Sequence, residues 1–150
     1  MNGVLTDGSL ILLPAGEQVR TMNIRDGYAI QLAIKQGYRI IVISGGKSEA
    51  VKTRLNSLGV TDVYLANETK EKTLTEVMDK YSLKSEEILY MGDDVPDLLA
   101  MKICGLPTCP ADACPEIKEL SLYISDKKGG QGCVRDIIEQ TLRLHGKWFV

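Results

Sequence analysis

The sequence is poor in residues on which several classes of protein depend. It contains one histidine, His145, so a Ser-His-Asp or Cys-His catalytic arrangement would have to rely on that residue alone. The cysteines are Cys104, Cys109, Cys114 and Cys133, and their spacing is not that of a zinc ribbon or a CxxC motif. We therefore interpret them as small buried thiols and not as metal ligands.

Strong charge and long apolar runs are missing as well. The 150 residues carry a formal net charge of −2 at pH 7, which gives no reason to expect nucleic acid or an anionic membrane as a partner. No apolar run approaches transmembrane length, and no basic segment with an apolar core opens the chain. Apolar residues make up 44% of the chain, so a single core is feasible. We expect one cytoplasmic domain over residues 1–150.

The order of apolar runs and amphipathic stretches predicts an α/β fold. The runs that predict parallel strands are residues 39–43, 63–65, 88–91, 105–108 and 123–124. Helical periodicity between them indicates a doubly wound, Rossmann-like parallel sheet. Ser9–Leu13 and Gln18–Asn23 flank a turn and predict an inserted β-hairpin, and Asp26 is the expected N-cap of the helix that follows. The first strand of such a sheet is missing, because the sequence opens with a loop.

The stretch from Ile88 to Asp97 has the clearest chemical character. A short apolar run ends at Gly92, and Asp93, Asp94 and Asp97 follow within five residues. Carboxylates this close repel one another, and a hard cation such as Mg²⁺ would relieve the repulsion. In open α/β sheets, ligands bind at the carboxyl ends of the strands. The alternative interpretation is a solvated turn that caps a helix.

Other polar residues are predicted to meet at the same edge of the sheet. They are the Gly3–Gly8 loop, Ser44 after the strand at residues 39–43, and Lys70 at the start of a helix. Ser44 could simply end a strand, and Lys70 could be solvated. Together, however, they supply what phosphoryl transfer requires: a metal site, a hydroxyl and backbone N–H groups for phosphate oxygens, and a cation.

Six short motifs follow one another along the chain. They are Asn2–Gly8, Arg25–Gly27, Ser44–Gly45 with Arg54, Lys70, Gly92–Asp97, and Gly129–Arg135. In this order they resemble the motifs of the haloacid dehalogenase superfamily of phosphatases, over essentially the whole chain. The sequence is most similar to the capless group that includes 3-deoxy-D-manno-octulosonate 8-phosphate phosphatase and the phosphatases of ketodeoxynononate and sialic acid 9-phosphates.

This resemblance implies a mechanism and a metal. An aspartate would attack phosphorus and form an aspartyl-phosphate, which water then hydrolyses. Mg²⁺ would be held by that aspartate, by the backbone carbonyl of Asn2 and by Asp93. Asp94 and Asp97 would support these ligands without binding the ion directly. Lys70 would neutralise the phosphate and orient the nucleophile. The residues implied to bind phosphate or substrate are Asn2, Gly3, Ser44, Gly45, Arg54 and Lys70.

The sequence departs from the family pattern at its start. The nucleophilic aspartate should stand one residue before Met1, and Asn2 occupies the position of the aspartate that acts as general acid and base. We expect Met1 to be preceded by an apolar strand that ends in the missing aspartate. The alternative is an impaired or inactive member that binds a sugar phosphate or serves as a subunit. A receiver domain has a similar acidic pocket, but the hairpin and the Gly92–Asp97 order argue against it.

The resemblance also implies a substrate class and an assembly. Among keto sugar acid phosphates we rank 3-deoxy-D-manno-octulosonate 8-phosphate first, although Gly46 matches neither the arginine nor the glutamate that relatives carry there. Capless relatives close their sites as tetramers. The apolar run Leu10–Leu13 is too hydrophobic to be exposed on a small domain, so we expect a homotetramer with the hairpin at its interface.

Overall fold

A computed structural model of the chain describes residues 2–149, and its core elements follow the α/β order that the sequence predicts. The hairpin is formed by β1 (Ile11–Leu12) and β2 (Gln18–Val19), paired antiparallel. The remaining strands are β3 (Ile41–Ile43), β4 (Asp62–Tyr64), β5 (Leu89–Met91), β6 (Leu106–Cys109) and β7 (Tyr123–Ile124). The helices are α1 (Ile24–Lys35), α2 (Glu49–Ser57), α3 (Lys70–Tyr81), α4 (Leu98–Ile103), α5 (Pro115–Leu120) and α6 (Cys133–Leu144).

The parallel strands form two pieces of sheet. Strand β3 pairs with β4 in one piece, and β5, β6 and β7 pair in that order in the other. Both inner strands, β3 and β5, border a groove of about 560 Å³ that separates the two pieces. The sequence-based prediction of a wound parallel sheet is therefore confirmed, with the added finding that the sheet is divided.

Helices cover both faces of these strands. Helices α1 and α6 pack against each other, and Ile30 of α1 joins Val42 of β3 and Leu55 of α2 in the largest core cluster. On the other side, Leu74 of α3 packs with Ile43 and with Ala100 of α4. Burial on both faces is what the continuous apolar runs of the strands predict.

One predicted helix start is wrong. The N-cap of α1 is Asn23, whose side chain accepts hydrogen bonds from the backbone N–H groups of Arg25 and Asp26. Asp26 instead lies inside the first turn, is 1% exposed, and accepts a hydrogen bond from the backbone N–H of Arg135 on α6. Its role is therefore to join two helices. The predicted cap of α2 is confirmed, because the Ser48 hydroxyl accepts from the N–H of Val51.

The helices within residues 2–149 are all too short or too polar to cross a lipid bilayer. The exposed apolar side chains are concentrated instead on the hairpin, where Leu10, Ile11, Leu12 and Leu13 are between 40% and 71% exposed. A contiguous apolar surface of this kind on a small domain marks a site of contact with another molecule.

Candidate active site

Ser44 directly follows β3, and hydrogen bonds hold both its backbone and its hydroxyl group. The residue is fully buried, its backbone N–H donates to the carbonyl of Tyr64, and its Oγ accepts a hydrogen bond from the N–H of Gly46 at 3.1 Å. Because Oγ accepts from Gly46, the hydroxyl proton remains available to donate to another group. The residues after a parallel strand lie at its carboxyl end, where ligands bind in such sheets.

Two further polar side chains lie around Gly46. A Cβ atom at position 46 would lie 3.4 Å from Ser44 Oγ, 3.5 Å from Asn2 Oδ1 and 3.8 Å from a terminal nitrogen of Arg20. The hydroxyl, the amide and the guanidinium thus converge on one small space that a larger side chain would fill. Arg20 directly follows β2, so the hairpin delivers a cation to this space. A fixed cation and a hydroxyl donor together suit a phosphate group.

The opening turn links Asn2 to the end of β5. The Thr6 hydroxyl donates a hydrogen bond to the Asn2 carbonyl, and Gly3 lies so close to the Asp93 carboxylate that any side chain at position 3 would overlap it. Gly129 packs equally tightly on the backbone of Gly3 from the other side. Glycine is required at positions 3 and 129 because the backbone approaches its neighbours too closely for a Cβ atom.

The three carboxylates that follow β5 have different partners. Asp94 caps the 3₁₀ turn Val95–Asp97, with its side chain accepting from the N–H of Val95 at 2.8 Å. Asp97 is 2% exposed and accepts hydrogen bonds from the N–H groups of Asp93 and Asp94 and from the Tyr90 hydroxyl. Within residues 2–149, the Asp93 carboxylate accepts no hydrogen bond. It is the carboxylate of the three that remains available for a cation.

Lys70 and Asp97 form a buried ion pair. Lys70 Nζ lies 2.7 Å from Asp97 Oδ1, and the two residues are 7% and 2% exposed. Lys70 begins α3 and Asp97 begins the α4 segment, so the pair joins two helices beneath the end of β5. Because ion pairs in a buried setting need further hydrogen bonds to offset desolvation, the bonds from Tyr90 and Asp93 to Asp97 stabilise this arrangement.

These contacts shift the pKa values of Asp93 and Asp97 in opposite directions. Burial raises the pKa of Asp93, the neighbouring Asp97 and Asp94 carboxylates raise it further, and Lys70 opposes the rise. Burial would also raise the pKa of Asp97, but the charge of Lys70 and its hydrogen bond hold that pKa below the ordinary value. Burial and the Asp97 carboxylate raise the pKa of Tyr90, so its hydroxyl stays protonated as a donor.

The residues present fit a hard divalent cation. The Asp93 carboxylate has no hydrogen-bond donor within the described chain, and Gly3, which follows Asn2, lies against it. The Asn2 carbonyl accepts from Thr6 and retains a second lone pair. Carboxylate and carbonyl oxygens are the ligands that Mg²⁺ takes in proteins. No group of three His, Cys, Asp or Glu side chains between residues 2 and 149 is arranged to hold a metal alone, so the backbone oxygen matters.

The structure brings most of the predicted residues together. Asn2, Gly3, Ser44 and Asp93 meet at the carboxyl ends of β3 and β5, and Lys70 lies beneath them through its pair with Asp97. Gly45 is exposed in the loop after Ser44.

Arg54 is exposed on α2, and its guanidinium lies against Gly27 of α1, where a Cβ atom would be 3.0 Å from it. Sequence reasoning missed Arg20 and Tyr90. An arginine directly after a hairpin strand and a tyrosine inside an apolar strand carry no pattern of their own, and their roles depend on tertiary contacts.

The comparison with protein families agrees with this geometry. The sequence model of the haloacid dehalogenase-like hydrolases matches residues 56–137, which is more than half of the chain. The chain belongs to the haloacid dehalogenase-like hydrolase family, and its fold and relatives define it as a phosphatase.

Individual relatives indicate a more specific group within this family. The chain is 32% identical over 147 residues to 3-deoxy-D-manno-octulosonate 8-phosphate phosphatase KdsC of Escherichia coli, a match that spans 98% of this chain and 78% of the relative. The crystal structure of the corresponding phosphatase from Yersinia pestis superposes with a TM-score of 0.95 at 31% identity, covering 98% and 80% of the two chains. The Moraxella catarrhalis phosphatase, solved with a magnesium ion, a phosphate ion and a KDO molecule, gives 0.91 at 29% identity, covering 94% and 81%.

Proposed function

We propose that the protein hydrolyses the phosphate ester of a keto sugar acid in the cytoplasm, with 3-deoxy-D-manno-octulosonate 8-phosphate as the first substrate and Mg²⁺ as the cofactor. The observation that carries this proposal is the convergence of the Ser44 hydroxyl, the Asn2 amide and the Arg20 guanidinium on Gly46, beside the free carboxylate of Asp93. The relatives named for this substrate support the choice.

The phosphate would be held by groups that are already oriented. Ser44 accepts from the Gly46 N–H, so its own proton remains available to donate to a phosphate oxygen. The Arg20 guanidinium offers charge-assisted hydrogen bonds to the same group. Because these donors are fixed before substrate arrives, little reorganisation is needed to stabilise charge on the phosphoryl oxygens.

Asp93 and the Asn2 carbonyl would hold the metal. When bound, Mg²⁺ neutralises charge on the phosphoryl group as a Lewis acid. Lys70 places a buried cation beneath the site, and its ion pair with Asp97 fixes the direction of the ammonium group. Asp97 also accepts from the backbone N–H groups that precede and follow the Asp93 side chain, so it positions the proposed metal ligand. The attacking aspartate expected ahead of Met1 lies outside residues 2–149.

Asn2 favours a second candidate function, a sugar-phosphate binder. Its amide cannot donate a proton to a leaving group or accept one from water. General acid-base catalysis is typically worth about 10²–10⁴-fold, so an enzyme with Asn2 in this role is slow on unactivated substrates. Replacing Asn2 by Asp separates the two functions. A phosphatase should gain turnover, whereas a binder should retain its affinity and still release no phosphate.

The apolar hairpin supports a homotetramer. Its side chains from Leu10 to Leu13 are exposed, yet Arg20 at its base reaches the phosphate site. Burying the hairpin between subunits would therefore remove apolar surface from water and fix Arg20 at the same time.

The test is a panel of sugar phosphates assayed for phosphate release with and without Mg²⁺, with a chain that carries the expected attacking aspartate. We expect a preference for an eight- or nine-carbon keto sugar acid phosphate, and loss of metal-dependent activity and of metal-dependent thermal stabilisation in Asp93→Asn. Asp79→Asn, at an exposed carboxylate on α3, is the matched control. Preference for a nucleotide or a glycolytic phosphate would overturn the substrate choice. Equal stabilisation of both variants by Mg²⁺ would overturn the metal assignment.

A further inference from the structure

The turn between β4 and α3 holds the loop that follows β3. The backbone N–H of Asn67 donates to the carbonyl of Ser44 at 2.9 Å. The neighbouring N–H of Ala66 donates to the carbonyl of Gly46, also at 2.9 Å. Since the N–H of Ser44 donates to Tyr64 of β4, the backbone of Ser44 is bound on both sides by β4 and by the turn that follows it. The position of the Ser44 hydroxyl therefore depends on how this turn is fixed.

The turn has two unfavourable local features. Ala66 has a φ of +51°, in the left-handed region that favours glycine. The side-chain oxygen of Asn67 is buried and has no hydrogen-bond partner among residues 2–149. Strained backbone and unpaired buried oxygens persist only where the surrounding structure holds them. Contacts outside the turn must therefore keep it in this conformation.

The side chain of Asn67 makes such a contact. Its Nδ2 donates a hydrogen bond to the hydroxyl of Thr73, a buried residue of α3. Within the described chain this is the one hydrogen bond of the Asn67 side chain. The side chain of Thr69, the N-cap residue of α3, makes no capping hydrogen bond in the same part of the chain. The bond from Asn67 to Thr73 therefore fixes how the turn enters α3.

Lys70 lies on the segment that this bond fixes. It begins α3 three residues before Thr73, and residues with this spacing share one face of a helix. Both residues are buried, with exposed fractions of 7% and 6%. Asn67 thus contacts the end of β3 through its backbone and the first turns of α3 through its side chain.

We infer that Asn67 is a positioning residue, which sets the place of the Ser44 hydroxyl relative to the Lys70 ammonium group. We call the path from Ser44 through Asn67 to Thr73 the Asn67 bridge. Asn67 acts through Ser44 and need not touch the phosphate. The expected effect on phosphate binding rests on the proposed function, whereas the bridge itself does not.

The test replaces Thr73 by Val in the full chain, which keeps the shape of the side chain and removes its hydroxyl. In amide hydrogen exchange followed by NMR, the N–H groups of Ala66 and Asn67 should exchange at least about tenfold faster. The N–H of Gly92, which donates to Thr108 in the other piece of sheet, should exchange at an unchanged rate. The affinity for inorganic phosphate in calorimetry should fall about threefold or more.

Two further variants serve as controls. Thr73→Ser keeps the hydroxyl, so it should retain both the slow exchange of Asn67 and the phosphate affinity. Thr75→Val is the matched control, because the Thr75 hydroxyl bonds to the carbonyl of Glu71 on the exposed surface of the same helix. It should leave both measurements unchanged.

A double variant separates positioning from a general loss of stability. In a chain that already carries Ser44→Ala, Thr73→Val should lower the phosphate affinity by less than about 1.5-fold, because the hydroxyl through which it acts is gone. Equal further losses with and without the Ser44 hydroxyl would overturn the inference.

Three other results would also overturn it. They are unchanged exchange of Asn67 in Thr73→Val, equally faster exchange of Gly92, and an equal loss of phosphate affinity in Thr75→Val. A wild-type chain that binds no phosphate, with exchange altered as expected in Thr73→Val, would instead contradict the proposed function and support the Asn67 bridge.

Discussion

Replacing Asp97 by Asn tests the buried ion pair directly. The substitution is nearly isosteric but removes the charge opposite Lys70, whose ammonium lies 2.7 Å from Asp97 Oδ1 and is itself buried. Removing one partner of a buried pair typically costs about 3–5 kcal/mol, because the other charge is left uncompensated. A domain of this size is stable by roughly 5–15 kcal/mol, so the loss is a large fraction of the total. At about 2–4 °C per kcal/mol, the melting temperature should fall by roughly 6–20 °C.

The lowered pKa of Asp97 also predicts how the stability loss of Asp97→Asn changes with pH. The pKa of Asp97 is lowered in the folded protein from its ordinary value of 3.8, so the unfolded chain binds more protons near that pH. The stability contributed by the carboxylate is therefore fully present above about pH 4 and is lost as the pH falls through the lower folded value. The stability difference between wild type and Asp97→Asn should accordingly narrow below pH 4.

Urea unfolding followed by circular dichroism between pH 7 and pH 3 measures both effects. The exposed Asp79→Asn variant should lose less than about 0.5 kcal/mol at every pH. The double variant Lys70→Met with Asp97→Asn should recover much of the loss, because it removes the uncompensated charge and keeps a side-chain oxygen that can accept the hydrogen bonds of Tyr90 and Asp93. A loss of under about 1 kcal/mol for Asp97→Asn at pH 7, or one that is as large at pH 3 as at pH 7, would refute the reasoning.

Three further predictions concern the phosphate site, the glycine contact and the assembly. Ser44→Ala should weaken inorganic phosphate binding about tenfold in calorimetry by removing one charge-assisted donor, and unchanged affinity would exclude Ser44 from the site. Gly129→Ala should lower the melting temperature, since its Cβ would overlap the backbone of Gly3; a melting temperature equal to that of wild type would contradict this contact. If the proposed tetramer forms, Ile11→Asp with Leu12→Asp should convert it to smaller species in light scattering, and a wild-type monomer at micromolar concentration would refute the proposed assembly.

The sequence predicts the elements well because the signals that define them are local. Ser48 caps α2 as expected, since a serine before an amphipathic run needs only its own next turn to be satisfied. For α1 the sequence predicts a cap at Asp26, whereas the cap is Asn23, a residue three positions earlier that is equally suitable by type. What separates them is the backbone N–H of Arg135, more than a hundred residues away, which binds Asp26 and holds it inside the helix.

The candidate site is predicted less completely, for a related reason. Ser44, Lys70 and Asp93 follow or begin regular elements, so the topology alone brings them to one edge. Arg20, directly after β2, reaches the space around Gly46, and the Arg54 guanidinium packs against Gly27 of α1. Neither side-chain position can be predicted from the spacing of motifs or from the periodicity of apolar residues. The different roles of Asp93 and Asp97 also depend on Lys70, which is distant from them in sequence. These roles could therefore not be predicted from the residues next to the two aspartates.

The contact between the glycine-rich loop and the opening turn sets the order in which a newly made chain can finish its site. The N–H of Gly130 and the thiol of Cys133 both donate to the carbonyl of Val4, and the second bond joins residues 129 positions apart. At synthesis rates of about 5–20 residues per second, Val4 is incorporated roughly 6–26 s before these partners exist. The turn that carries Asn2 can therefore be held by these bonds only after residues 130–133 have been made, and a chain that is cut short before residue 129 lacks both of them.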